Sequence, residues 1–438
     1  MQKSFRGAAE MEYDAIFAKS FSRYEQRKLG YGAFIGCLLV CLSFVTMFRP
    51  SLDQLKPLLS LQLTMNPERE IIKQHEVEPV CNLMEPRSDF CKMNGDIRIH
   101  GNSSTILFAS PQVDSAAARN ATWKIKPYAR KGDAAALGSV TEFLAAGYSG
   151  NHFHAFADIL VPLFAASYRF RGEVKLLVSN SKSYWIAKYK AILENLSRYE
   201  IIINIDKDDR IHCFPSMIVG LKQHQELRID HSQSRYSMKD FREFLRSAYS
   251  LKKAKAAISI RNHQRHRKVP RLLIVTRKRT RSFTNEREIV KLAKSLGYKV
   301  MTAEPALMNM TSFARVVNSC DVMMGVHGAG LANIVFLPSH AVVIQVVPLG
   351  GLKWLCSHYF GEPALEMELK YLEYKIREEE STLMQQYPLD HPVFKDPISI
   401  HRQGWEATKA VYLDKQDVKL DVNRFRATLL EALELLHH

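Results

Sequence analysis

Three near-continuous apolar runs, at residues 272–276, 322–325 and 341–347, lie within one stretch of the chain and are separated by segments of helical period. A strand that is apolar at nearly every position, rather than at every second one, is buried on both faces. That is the condition of a strand inside a parallel sheet covered by helices. Residues 285–296 and 312–320 supply the helical pattern, and residues 298–302 read as a further strand. The second half of the chain is therefore expected to be an alternating α/β unit. The first half alternates more weakly. Strand-type runs at 97–100, 105–108, 174–178 and 201–205 are interleaved with helical patterns at 153–166 and 184–195, which predicts a second parallel sheet. A basic stretch, 252–271, with Arg261, Arg265, His266, Arg267 and Lys268, separates the two. Two α/β units joined by a linker are expected to make a cleft, where ligands of such folds bind. The last helical pattern, 423–436, puts Phe425, Leu429, Leu430, Leu433 and Leu436 on one face, a core stripe.

The N-terminal region predicts a compartment. Residues 29–48 carry no charge, and twenty residues of helix span about 30 Å, one bilayer core. Arg23, Arg27 and Lys28 precede the run, with Lys3, Arg6 and Lys19 further out, whereas only Arg49 and Lys56 follow closely. The positive-inside rule then leaves a short cytosolic tail and places the rest in a lumen. A cleaved signal peptide fits poorly, because Phe48-Arg49-Pro50 offers no small-residue cleavage site. Acceptor tripeptides for N-glycans occur at Asn102, Asn120, Asn195 and Asn309. Of seven cysteines, Cys37 and Cys41 fall in the span; Cys81, Cys91, Cys213, Cys320 and Cys356 would be luminal. Cys81 and Cys91 are near enough to close a short loop, and an odd count is expected to leave one thiol free or paired between chains.

Four constellations are candidates for chemistry. Gly325-Val-His-Gly-Ala-Gly-Leu331 follows a strand and precedes an apolar segment, so its glycines allow close backbone approach and its amides suit phosphate oxygens. His327, Gly328, Ala329 and Gly330 are the candidate phosphate contacts. It is not the spaced dinucleotide fingerprint, and no Walker lysine follows. Thr276-Arg-Lys-Arg-Thr-Arg-Ser282 stands at the carboxyl end of another strand of the same unit, where Arg277 and Arg281 would neutralise a diphosphate. Asn285 and Glu286 follow at a helix start. In the first half, Asn151 opens a helix on which His154 and Asp158, four residues apart, share a face as a base and its orienter. Asn151 is the candidate acceptor-side residue, with helix capping as the simpler reading. Asp206, Asp208 and Asp209 resemble a divalent-metal motif but read better as a turn, and no spacing suggests zinc.

Hydrophobic content of 46% and charged content of 24% exclude a disordered chain. The formal charge of +16 suits a polyanionic ligand, a membrane surface or nucleic acid.

With these residues in view, the chain resembles the plant members of glycosyltransferase family 61. The resemblance rests on Arg87-Ser-Asp-Phe-Cys91, Gly95-Asp-Ile-Arg-Ile-His-Gly101 and Trp123-Lys-Ile-Lys-Pro-Tyr-Ala-Arg-Lys131. Gly150-Asn-His-Phe-His154 with Asp158 and Pro162-Leu-Phe164, Arg277, Arg281 with Asn285-Glu286, the 325–331 turn and His401-Arg-Gln-Gly-Trp405 complete it. It implies a GT-B fold, two Rossmann-like domains facing a cleft, behind one transmembrane helix and a stem. The corresponding boundaries are 1–28 tail, 29–48 signal-anchor, 49–79 stem, 80–255 acceptor domain, 256–270 linker, 271–422 nucleotide-sugar domain and 423–438 terminal helix. It implies inverting transfer of arabinofuranose or xylose from a UDP-sugar to xylan, with no cofactor and no metal, by a type II Golgi membrane protein. The partners so implied are the UDP-sugar, the polysaccharide and the Golgi membrane, with homo- or hetero-oligomers a further expectation and no nucleic acid. An N-glycan β-1,2-xylosyltransferase and a non-catalytic luminal scaffold are the rival readings. Where plant members show His-Asp-Phe-Thr-Asp, this chain has His154-Ala-Phe-Ala-Asp158. That substitution leaves Asp158 and His154 as the candidate bases.

Overall fold

Strand β2 (Phe90–His100) buries alternate residues, among them Cys91, Met93, Ile97 and Ile99, as a sheet with one covered face requires. In the computed structural model, which describes residues 81–84, 87–109, 150–179, 182–203, 205–256 and 269–437, β2 is the spine of an antiparallel sheet. It pairs with β1 (Cys81–Asn82), β3 (Thr105–Ala109) and β6 (Ile211–Val219). The parallel pairing expected for 97–100 and 105–108 is therefore corrected: those runs form an antiparallel hairpin, Ile99 opposite Ile106. Among the described residues of this half, parallel pairing is confined to β4 (Leu177–Val178) with β5 (Ile202–Ile203) and an isolated bridge between Gly172 and Ser197. Cys81 and Cys91 form a disulfide between β1 and β2. Cys213, Cys320 and Cys356 are all free, so three thiols rather than one remain unpaired.

The second half has five parallel strands: β7 (Arg271–Val275), β8 (Lys299–Ala303), β9 (Val322–Val326), β10 (Val342–Val347) and β11 (Lys370–Lys375). Their order across the sheet is β11-β10-β9-β7-β8. The first strand thus has its second on one side and its third on the other. Every residue of β9 and β10 is buried, as their apolar runs require. Helices Glu286–Ser295 and Met310–Ser319 make the crossovers, the latter capped by Asn309, whose Oδ1 accepts from the Ser312 amide at 2.8 Å. The terminal helix, Val422–Leu435, is capped by Asp421 and packs on β11 and Glu286–Ser295. Its buried face is Phe425, Leu429, Ala432 and Leu436; the expected stripe is corrected at Leu430, which is exposed.

Residues 81–438 make one compact unit. Arg228 pairs with Glu362 and Glu366 across the two halves, and Lys239 pairs with Glu368. The expected signal-anchor 29–48, the tail and stem, Asn120, residues 123–131 and the arginines of the linker lie outside the described residues. No helix of the described residues is long and apolar enough to cross a membrane.

Candidate active site

In a parallel sheet of this order, the loops leaving the first and third strands run to opposite sides and open a crevice between them. Here those strands are β7 and β9, and the segments that follow them hold Arg277–Arg281 and His327–Gly330. The two predicted clusters therefore come together. At Gly328 the backbone has φ 150°, a region that favours glycine, and a Cβ there would overlap Nη1 of Arg277 and lie 3.1 Å from Nη1 of Arg281. The missing side chain is the space the guanidinium groups occupy. Gly325 and Gly330 act differently. A Cβ on either would press on Val275 at 3.3 and 3.2 Å, so they let the turn lie against β7. Ala329 begins a 3-10 turn, Ala329–Phe336, whose opening amides lack acceptors inside the helix.

Arg281 is held in a left-handed conformation, φ 56°, where its backbone N–H donates to the Gln416 carbonyl at 2.9 Å, and its Nη1 donates to the His327 carbonyl at 3.0 Å. Arg277 donates from Nε to the Thr280 carbonyl at 3.0 Å. Among the described residues no carboxylate ion-pairs with either guanidinium, and Nε of Arg281 is buried without a partner. Burial, and then the charge of Arg277, pull the Arg281 guanidinium down to about 9. Burial also lowers Arg277. A guanidinium does not give up its proton at neutral pH, so the shift measures how much two crowded cations would gain from an anion.

His327 is buried, and its Nδ1 lies 2.7 Å from the Gln345 side-chain nitrogen. With the Gln345 amide placed so, its nitrogen donates and Nδ1 accepts, while the Tyr371 hydroxyl lies 2.7 Å from the Gln345 oxygen and 3.2 Å from Glu373 Oε1. The proton then sits on Nε2. Burial, followed by repulsion from Arg281 and Arg277, lowers His327 to about 3, so the ring is a neutral donor. Gln345 was legible only as a lone polar residue in a wholly apolar strand; Tyr371 and Gln416 gave no sign.

In the first half the helix begins at His152–His154, widens to a π-type turn over Ala155–Leu160 and continues as Val161–Ser167. Asn151 caps it, accepting from the Phe153 amide at 2.9 Å, which is the simpler of its two readings. His154 Nδ1 and Asp158 Oδ2 are 3.2 Å apart; the imidazole is 18% exposed and the carboxylate 1%. Of the two, the imidazole is the group that reaches the surface. Phe153 stacks on Tyr359 at 5.0 Å and meets Phe360 at 5.4 Å, and the same two rings flank His327 at 6.5 and 5.5 Å. One aromatic pair thus separates the two candidate clusters. His152, beside them, lies 3.0 Å from Asn333 through Nε2 and 3.0 Å from the Tyr189 hydroxyl through Nδ1.

Asn285 is not aimed at the crevice. Its amide exchanges bonds with the Leu420 backbone at 2.8 and 3.1 Å, a packing role. Glu286 stands half-buried in the first turn of its helix, facing the positive end of the dipole. Asp206 accepts from Ser179, Asp208 is bound by Arg210 and His212, and Asp209 accepts from Asn102, so each carboxylate of the acidic turn is engaged by a protein group. Among the described residues no group of three metal-ligating side chains gathers. Asn102, Asn195 and Asn309 are exposed. A groove of about 450 Å³ lined by Tyr168, Arg171, Arg235 and Tyr236 lies apart from these clusters and includes Asn195.

The model of a family described as Glycosyltransferase 61 matches residues 152–344, the span from the His154 helix to β10. An alpha-1,3-arabinosyltransferase of Oryza sativa subsp. japonica is 44% identical over 389 residues, 83% of this chain and 66% of that protein. A beta-1,2-xylosyltransferase of the same organism is 38% identical over 447 residues, 91% of this chain and 95% of the other. A xylan glycosyltransferase of Arabidopsis thaliana is 35% identical over 405 residues, 84% of this chain and 81% of the other. The chain spans just under two thirds of the length of the rice arabinosyltransferase. With nearly the whole of one relative aligned to nearly the whole of this sequence, the chain belongs to glycosyltransferase family 61.

Proposed function

We propose that this protein is an inverting pentosyltransferase that moves arabinofuranose or xylose from a UDP-sugar to xylan. The observation that carries the reading is the pair of part-buried guanidinium groups over Gly328, which no carboxylate of the described residues ion-pairs, at the crevice of a parallel sheet. Two crowded cations beside orphan helical amides are built for a diphosphate. The names of the relatives supply the sugars and the polysaccharide.

The reaction is one displacement. His154 takes the proton of an acceptor hydroxyl on Nε2 while Nδ1–H stays with Asp158. The hydroxyl oxygen attacks the anomeric carbon, and the bond from that carbon to the β-phosphate oxygen breaks. UDP leaves with the electron pair. Arg277, Arg281, Nε2–H of His327 and the amides of Gly328 and Gly330 meet the charge growing on the diphosphate, which in such sites is the larger share of the acceleration. General base catalysis adds roughly two to four powers of ten. No metal enters this scheme. The reading extends to a GT-B arrangement and to a type II Golgi protein anchored by residues 29–48, whose absence of charge supports it.

The test is to incubate the purified protein with UDP-arabinofuranose or UDP-xylose and xylo-oligosaccharides, and to read product mass and anomeric configuration. A pentose added with inversion is expected. Transfer to an N-glycan in its place would change the acceptor, and calorimetry showing no heat with UDP would end the reading.

A further inference from the structure

Gln223 is 6% exposed and lies beneath the candidate base. Its amide nitrogen donates to Oδ1 of Asp158 at 3.0 Å and to the Ala157 carbonyl at 3.2 Å. Its oxygen accepts from Nη1 of Arg87 at 3.1 Å, and the same nitrogen of Arg87 pairs with Glu226 at 2.8 Å. This sets a direction. A guanidinium only donates, so Arg87 holds the Gln223 oxygen toward itself and turns the NH₂ to the carboxylate. With Oδ1 occupied, Oδ2 of Asp158 is the oxygen presented to Nδ1 of His154 at 3.2 Å. A flipped amide would set oxygen against carboxylate and push Asp158 off the imidazole. Arg87 is itself tethered. It lies inside the segment closed by the Cys81–Cys91 disulfide, and the next residue, Ser88, bonds the Leu221 carbonyl at 2.6 Å, two positions before Gln223.

We propose that Gln223 and Arg87 are positioning residues for the reaction, a relay from the disulfide-closed segment through Gln223 and Asp158 that sets the tautomer and aim of His154. The inference rests on His154 being the base. Neither residue touches substrate in this scheme; both act through Asp158. Outer partners of this kind are commonly worth about one to two powers of ten in activity.

The experiment is a double-mutant cycle on the full chain. Gln223→Met, which keeps the length and removes the donor, is expected to lower kcat about 10- to 50-fold. The UDP dissociation constant by calorimetry and the donor KM should stay within about twofold. Arg87→Met is expected to lower kcat about 5- to 20-fold and Arg87→Lys to recover most of it, since a lysine still donates to the Gln223 oxygen. In a His154→Ala background neither substitution should lower the residual rate further, because the relay has nothing left to aim. Gln223→Leu, a second change of shape, guards against misfolding of the first, and unchanged UDP binding reports that the fold is intact. Equal losses in the wild-type and His154→Ala backgrounds would show a merely structural role and overturn the proposal, as would an unchanged kcat in Gln223→Met. If His154→Ala alone kept the wild-type rate, the base assignment itself would fail, and that single variant shows it separately.

Discussion

At the scale of single residues, the site is organised around what Gly328 lacks. Gly328→Ala would force a Cβ into Arg277 and strain a backbone at φ 150°. The expected outcome is a UDP affinity at least about tenfold weaker by calorimetry, with stability lower by about 1–3 kcal/mol. Burial lowers three of the described histidines, His152, His327 and His401, and the first two give an acid signature that can be sized. Burial lowers both His152 and His327 to about 3, against about 6.5 in an unfolded chain. Below 6.5 the unfolded state binds protons that the folded state refuses, so stability present above that pH is lost as pH falls toward 3. At pH 5 each histidine should cost about 2 kcal/mol relative to pH 7. Urea midpoints across this range check it, and His327→Asn should flatten part of the slope. Gly328 and the arginines were legible in the sequence as a pair, because a glycine turn and a basic cluster each follow a buried strand of the same unit, and the fold brings them into contact. The roles of Asn285 and Gln345 were not, since an amide serves whatever partner the fold brings to it.

At the scale of elements, the helix starting at His152 is tied to the turn after β9 by one imidazole. His152→Ala would leave the Tyr189 hydroxyl and the Asn333 amide without that partner, and the expected loss is about 2–4 kcal/mol in denaturant unfolding. The kcat should fall with it, because His154 rides on the same turn. Period reading placed this helix, the crossovers and four of the five parallel strands within a few residues; it did not read β11, most of whose residues are only partly buried at the sheet edge. It misplaced Leu430, because a stripe drawn at helical spacing is wider than the face that Tyr374 and Phe425 in fact cover. It also could not assign the direction of pairing in the first half. The alternating β2 pattern shows one buried face and says nothing of which neighbour covers its edges.

At the scale of the whole molecule, the disulfide closes the first strand pair on which Arg87 depends. Replacing Cys81 and Cys91 together by serine is expected to cost about 2–3 kcal/mol, from the ten-residue separation of the two. Thermal unfolding checks it. Since Asp206, Asp208 and Asp209 are already engaged by protein groups, excess EDTA is expected to leave the transfer rate unchanged within about twofold. A rate abolished by EDTA and restored by manganese would sink the metal-free scheme.

The order of the first four strands of the second half with their crossover helices, and the clusters that leave β7 and β9, were determined by the sequence alone. Hydrophobic period and turn chemistry are local, and a chain carries them wherever it goes. Only the tertiary structure decided which polar groups meet: His152 with Asn333 at a separation of 181 residues, Asn285 with Leu420 at 135, Gln223 with Asp158 at 65. Such pairs form because the packing of apolar faces brings distant segments together, and a buried donor or acceptor must then bond whatever has arrived beside it.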